Sequence, residues 1–278
     1  MAIGQINALE CVVNISEGED KAILARLAHA AQNSLLDIHS DRHHNRSVFT
    51  LVGPDLEHDV RALAREAVAQ LDIRTHQGVH PRIGIVDVVP FCPLGSETMA
   101  EALTARNRFA EWLWDEFEIP GFLYGPERSL PEIRRAAFIT MKPQVGYGAG
   151  HLSAGAAAVG ARGVLIAYNL TLEANLDLVR DISRRIRSKS VRALALRVAD
   201  EVQLSLNLIT PQTFGPSDAY DFASGFTQIK RAELVGLMPR SVLEKIDRSK
   251  WSTLGLSDTT TIEFRVEQKP WYSQRNVN

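Results

Sequence analysis

The sequence holds only two cysteines, Cys11 and Cys92, and they lack the CxxC spacing of a redox or zinc motif. Each lies in or beside an apolar stretch, the setting of a buried thiol, which fits a reduced, cytoplasmic environment. No apolar run approaches the roughly 20 residues that cross a bilayer. No charged N-terminal segment leads into the apolar core of a signal peptide, so a soluble, unsecreted protein is expected. Neither sign of charge dominates, with 31 lysines and arginines against 33 aspartates and glutamates. Such a balance gives no field to draw nucleic acid or an acidic membrane, and small molecules become the expected partners. The nucleotide fingerprints GxGxxG after a strand and GxxxxGK[ST] are also missing.

What is present is a regular alternation of elements over 278 residues, a length that fits two packed subdomains. ALECVVNIS (8–16) reads as a strand. Ile23, Leu24, Leu27, Ala28 and Ala31 then fall three and four apart, the spacing of an amphipathic helix over 20–32. LLDIH (35–39) and RSVFTLVG (46–53) read as a hairpin across SDRHHN, and the stripe from Leu56 to Leu71 predicts a second helix. IGIVDVV (83–89) supplies a fourth strand. The order β-α-β-β-α-β is the split βαβ, ferredoxin-like arrangement, extended by a helix at 96–117 and a short strand, FLYG. A glycine- and alanine-rich stretch (144–163) reads as a seam between subdomains, after which the order restarts. Strands are expected at 164–170, VRALALRV, EVQLSLNLI, AELVGLMP and TIEFRV, with helices at 172–187 and 216–231 and in RSVLEKI. The tail EQKPWYSQRNVN has no periodicity and reads as frayed unless its aromatics dock.

The stretch RTHQGVHPRIGIVDVVPF (74–91) concentrates the candidate chemistry. His76 and His80 are four apart, the spacing of a zinc helix, but Gly78 and Pro81 disfavour a helix there. Three readings stay open. The loop could donate both histidines to a metal with Asp37 or Asp87 as third ligand. A histidine at a sheet mouth could take a proton from an attacking amine and return one to a leaving amine, with Arg82 offering a fork for a carboxylate. Or the histidines cap backbone groups in a polar turn while Arg82 pairs with a surface acid. The hairpin loop adds His39, His43 and His44. The glycine-rich stretch permits close approach of backbone to a ligand. The five cations of RDISRRIRSK (180–189) sit at a helix end, where the dipole favours them, and read as a solvated face.

Six stretches, ECVVNISEG, LLDIHSDRHHNRSVFTLVG, HQGVHPRIGIVDVVPF, GAAAVGARGVLIAYNL, VQLSLNL and ELVGLMP, resemble successive signatures of the glutamate formimidoyltransferase (formiminotransferase) family. The resemblance runs from about residue 9 to 266, and its HxGxHPRxGxxDVxPF block is the most specific part. It implies an α+β fold of two ferredoxin-like subdomains, 1–162 and 163–278, with a substrate channel between them. The implied activity moves the formimino group from N-formimino-L-glutamate to N5 of tetrahydrofolate, in histidine breakdown and one-carbon metabolism. Tetrahydrofolate is then a co-substrate, and no metal is implied. The resemblance makes His80 catalytic; Arg82, with His39, Asp37 and Asn45, is expected at the substrate. It assigns folate contact to Gly146, Tyr147, Gly148, Ala149, Gly150, His151, Leu152, Ser153, Ala154 and Gly155. Vertebrate members carry an aspartate where His39 stands, and their folate loop is richer in proline and holds a tryptophan. A homodimer through the N-terminal subdomain is implied. Group transfer without a cyclodeaminase step is expected, since the helical domain of many vertebrate members is not represented. Two alternatives follow from the departures: a different formimino or formyl donor, or a non-catalytic small-molecule-binding homologue.

Overall fold

Alternation in ALECVVNI places Cys11, Val13 and Ile15 on one face of a strand, and all three are fully buried. In the computed structural model, which describes residues 6–275, this strand is the first of a unit spanning residues 1–163. The unit runs β1 (Ala8–Ile15), α1 (Lys21–Ala30), β2 (Leu35–Asp41), β3 (Arg46–Val52), α2 (Leu56–Gln70), β4 (Val86–Leu94), α3 (Met99–Phe117), β5 (Gly121–Tyr124), α4 (Leu130–Ala136) and β6 (Ala157–Ala161). Helix α1 starts where Asp20 accepts hydrogen bonds from the Ala22 and Ile23 amides, and α3 starts at a Thr98–Glu101 capping box. Leu27 of α1, Val60, Leu63 and Ala67 of α2, and Phe109 and Leu113 of α3 pack with β1, β3 and β4 in one core. Each such large side chain contributes about 1.5–3 kcal/mol on burial.

The sheet order is β2-β3-β1-β4-β6-β5. The first four are antiparallel in the ferredoxin-like permutation, and β6 and β5 extend the sheet in parallel from β4. The second unit, 164–278, contains β7 (Ile166–Leu172), α5 (Leu176–Ile186), β8 (Val191–Val198), β9 (Glu201–Leu208), α6 (Pro216–Ser224), β10 (Ile229–Val235), α7 (Arg240–Leu243), α8 (Ile262–Glu267) and α9 (Pro270–Arg275). Its strands are ordered β10-β7-β9-β8, all antiparallel. This is the permutation of β4-β1-β3-β2, so the chain is α+β with two ferredoxin-like units.

Several elements differ from the sequence reading. The strand expected from residue 83 starts at Val86 and continues through Pro90 to Leu94. The helix expected over 216–231 ends at Ser224, before Gly225, and β10 begins at Ile229. TIEFRV is not a strand: Thr261 caps α8, accepting from the Phe264 amide, and Ile262 and Val266 are buried four residues apart on one helical face. The glycine- and alanine-rich stretch contributes β6, a strand buried along its whole length between β4 and β5. Small residues are required there, because a Cβ on Gly160 would meet the Tyr124 ring at 2.1 Å. Helix α4, which the sequence reading passes over, covers the opposite face of this extension, where Ile133 packs with Val88, Phe122, Tyr124, Ala156 and Ala158. The tail is helical over Pro270–Arg275, and its last three residues lie outside the described range.

Candidate active site

A charge in the buried stretch of a strand must find partners, and Asp87, the second residue of β4 and itself fully buried, is such a charge. Its carboxylate accepts from Arg46 Nη1 at 2.5 Å and Arg134 Nη1 at 2.7 Å, from Arg134 Nη2, and from the Ile83 amide at 2.8 Å. Arg46 also donates through Nε and Nη2 to Asn14 Oδ1, at 3.1 and 2.8 Å. Burial alone would push the Asp87 carboxyl up. The two guanidinium groups outweigh it and hold the carboxyl well below the usual range. The node therefore joins β1, β3, β4 and α4 in one charge-assisted network. Asp87, a candidate third ligand in the metal reading, is committed to these arginines. Among the described residues no group of three or more histidine, cysteine, aspartate or glutamate side chains is placed to hold a metal.

His80 lies in the loop between α2 and β4, half-buried. Its Nδ1 is 2.8 Å from the Pro81 carbonyl oxygen. A carbonyl only accepts, so Nδ1 carries the proton and Nε2 presents a lone pair. Burial first, and the Arg46 charge second, push the His80 pKa down to about 3, against the Pro81 hydrogen bond and Asp87. The ring is neutral at neutral pH. Arg82 bears on the same network and feels Arg46, Asp87 and Arg134. Three guanidinium groups thus face one carboxylate around a neutral imidazole, which leaves the site net positive.

Arg82 fastens the loop to the hairpin. Its Nη2 donates to the His44 and His80 carbonyls, both at 3.0 Å, its Nη1 to the Asn45 carbonyl at 3.2 Å, and its Nε to His80 at 3.2 Å. The sequence reading placed Arg82 at a substrate carboxylate; here its donors are directed to backbone. Gly78 lies against this clamp, where a Cβ would meet Arg82 Nη2 and the His44 carbonyl, each at 2.4 Å. Asn45, at a left-handed φ of 45°, ties three segments. Its Oδ1 accepts from the Gly18 amide at 2.9 Å and its Nδ2 donates to the Gln77 carbonyl at 2.8 Å, with His76 Nδ1 3.5 Å away. His76 is held neutral, its pKa pushed down to about 4 by burial and then by Arg82. It borders a cleft of about 470 Å³ with Glu17, Asn45, Asp72 and Gln77.

The glycine-rich loop reaches the same loop from another side. Gly84 and Gly155 form an antiparallel bridge, with the Ile85 amide donating to Ala154 and the Ala156 amide to Ile83, both at 2.9 Å. A Cβ on Gly84 would meet the Ala156 carbonyl at 2.1 Å, so only glycine allows the two backbones this close. The Ile73 amide donates to Ser153 at 2.7 Å. His151 and Gly155 exchange backbone hydrogen bonds, and His151 Nδ1 accepts from the Ala154 amide, closing the turn. Ala154 is buried, whereas Tyr147 and Leu152 are 77% and 74% exposed. The Tyr147 ring rests 4.8 Å from Trp114.

Residues 8–162, the span that carries this whole arrangement, match the sequence model of the formiminotransferase domain, N-terminal subdomain. The chain belongs to the formiminotransferase family. It is 35% identical over 230 residues to a glutamate formimidoyltransferase of Streptococcus pyogenes serotype M1, covering 72% of this chain and 77% of that protein. Identity to the glutamate formimidoyltransferase of Thermoplasma acidophilum is 30% over 300 residues, covering 95% and 98%. A formimidoyltransferase-cyclodeaminase of Sus scrofa is 28% identical over 84% of this chain, which matches 51% of that longer protein.

As a formiminotransferase family member, the chain brings His80, Arg82, Asn45 and the 146–155 loop together around the residue 72–85 segment. Asp37 and His39 lie further along the hairpin on β2, opposite Thr50 and Val48. Arg46, Arg134, Asn14 and Asp41 escaped the sequence reading. Asp87 within IGIVDVV was a signal for the first two, since a carboxylate inside an apolar strand demands cations.

Proposed function

We propose that this protein transfers the formimino group of N-formimino-L-glutamate to N5 of tetrahydrofolate, giving 5-formiminotetrahydrofolate and glutamate. Residues 1–162 and 163–278 are, on this reading, its N- and C-terminal formiminotransferase subdomains. The observation that carries it is the tautomer of His80, whose protonated Nδ1 faces Pro81 and whose Nε2 is free to accept. Amine-to-amine transfer needs one group that removes a proton and then delivers it. His80 Nε2 takes the proton from the attacking nitrogen as the new C–N bond forms, and returns it to the glutamate nitrogen as the old C–N bond breaks. A base held at a pKa of about 3 is weak in the free protein. Carboxylates of the substrate offset the three arginines around it and raise its basicity when both substrates are in place.

The 146–155 loop suits a flat heterocycle. Exposed Tyr147 and Leu152 offer apolar contact, Trp114 backs the tyrosine, and a Cβ at Gly148 would meet nothing, so the loop has open space beside it. Tetrahydrofolate is assigned there. The names of the relatives support formimino transfer, and the glutamate donor is taken from the two formimidoyltransferases.

Steady-state kinetics with formiminoglutamate and tetrahydrofolate, joined to calorimetry of folinic acid binding, test this reading. Wild-type turnover is expected, and His80→Ala is expected to fold, bind folinic acid, and lose about 10²–10⁴ in kcat. Absence of both turnover and folate binding in the wild type overturns it. Turnover with a formyl donor alone reassigns the donor.

A further inference from the structure

His44, in the turn of the β2–β3 hairpin, is only 7% exposed. Its amide donates to Asp41 Oδ1 at 2.8 Å, and its Nδ1 stands 3.1 Å from Asp41 Oδ2. A carboxylate accepts and does not donate, so Nδ1 donates to Asp41 and Nε2 is the ring nitrogen left over. That Nε2 is buried and has no hydrogen-bond partner. Buried polar atoms are nearly always paired, so an orphan calls for a reason. The ring stands edge-on to His80, with centroids 6.1 Å apart and planes at 85°. The backbone of the same residue is gripped by Arg82, whose Nη2 also holds the His80 carbonyl, so the two histidines are fixed to one guanidinium.

We propose that Asp41 and His44 form a positioning pair for His80, orienting its ring and offsetting the positive charge around it while it carries the transferred proton. This inference rests on the proton-shuttle reading of His80. The groups facing His80 are Arg46 from β3, Asp87 from β4, Arg134 from α4, Arg82 from its own loop, and His44 with Asp41 from the hairpin. Asp87 is fully engaged by two arginines. Asp41 is the other carboxylate among these groups, and it acts through the His44 ring. Burial would push the Asp41 carboxyl up, but its hydrogen bonds from His44 outweigh that and hold it well below the usual range, so the carboxylate charge persists. The His44 ring turns its Nδ1 edge to Asp41 and meets the His80 ring at 85°. The carboxylate of Asp41 behind the His44 ring favours an imidazolium at His80, as any opposite charge nearby does. An apolar spacer would fill the same volume without an unpaired nitrogen.

Two variants separate this role from packing. His44→Phe keeps a flat ring and removes both nitrogens. Asp41→Asn keeps the shape and the backbone hydrogen bonds and removes the charge. Each is expected to lower kcat by about 10–100-fold, by analogy with the loss on removing the hydrogen-bond partner behind a metal-bound histidine, with KM for both substrates unchanged. The acidic limb of the kcat profile is expected to move to lower pH, because the protonated His80 loses its support. Nitrogen-15 spectra of histidine-labelled, substrate-free wild type should show His44 Nε2 as an unprotonated nitrogen hydrogen-bonded to nothing. Kinetics of either folded variant within twofold of wild type, or a protonated Nε2, overturns the pair. If His44→Phe fails to fold, Asp41→Asn decides. Should wild type show no turnover, the function proposed above fails instead, and the nitrogen spectrum still decides whether the pair exists.

Discussion

Replacing Asp87 with asparagine tests the charge node most directly. The carboxylate accepts from two guanidinium groups and one amide, and it is fully buried. Asparagine keeps one oxygen and turns an NH2 donor toward a guanidinium, so at least one arginine nitrogen faces a donor and both cations lose their counter-charge. Removing one member of a buried ion network costs about 3–5 kcal/mol, most of it the penalty for the charge left behind. For a chain of this size that corresponds to a fall in melting temperature of about 6–20 °C. Urea unfolding followed through Trp112 and Trp114 reports it within the unit that holds the node. Asp72→Asn is the control: it breaks an equally close contact with Arg74, but Arg74 is exposed and Asp72 half-exposed, and its midpoint should match wild type. Replacing all three members, as Arg46→Met, Asp87→Leu and Arg134→Met together, should restore most of the stability and none of the activity. A loss below about 1 kcal/mol for Asp87→Asn would refute the argument that these charges are desolvated together.

Two other outcomes are specific. Gly78→Ala places a methyl group at 2.4 Å from Arg82 Nη2 and the His44 carbonyl, so the clamp must open. It should cost about 1–3 kcal/mol, as overpacking does, and lower kcat without abolishing folate binding, measured by thermal unfolding and calorimetry. His80 and His76 both have folded pKa values below that of a free histidine, about 3 and about 4 against 6.5. Between those values and 6.5 the unfolded chain binds more protons, so their stabilisation is complete above pH 6.5 and drains away as pH falls toward 4 and then 3. Double replacement with glutamine should flatten the acid-unfolding curve in that window; an unchanged slope would contradict the assigned burial.

The ferredoxin-like frame was legible because its elements carry local period. Leu56 to Leu71 and Ala8 to Ile15 hold one face each over many residues, and Asn45 ends a loop of hairpin length. The errors have physical causes as well. TIEFRV alternates like a strand, yet Thr261 caps a helix whose buried pair is four apart. AAVGA holds only one of the branched side chains that mark a strand, Val159, since Tyr124 fills the space over Gly160. Loss of that strand hid α4 and with it Arg134, which reaches Asp87 from far along the chain. The loop around His80 drew attention by its residue types. The orientation of Arg82 toward carbonyls, and the union of Asp41 with His44, depend on backbone paths that no local pattern encodes.

The position of β6 bears on how the protein is made. It is the last strand of its unit to leave the ribosome, yet it fills the place between β4 and β5, with Gly121 paired to Ala157. Until it arrives, β5 has no strand beside it beyond the Gly121–Val145 bridge, and the nascent chain must keep a gap in a half-finished sheet. Long-range closure of this kind is slow and leaves open strand edges exposed to other chains. The residues just before β6 are Gly146 to Ala156, held to Ile83 and Ile85 by the same zippering. The loop assigned to folate is therefore set in place only as the sheet closes, so a chain interrupted before residue 157 would have the histidines but no ordered cradle beside them.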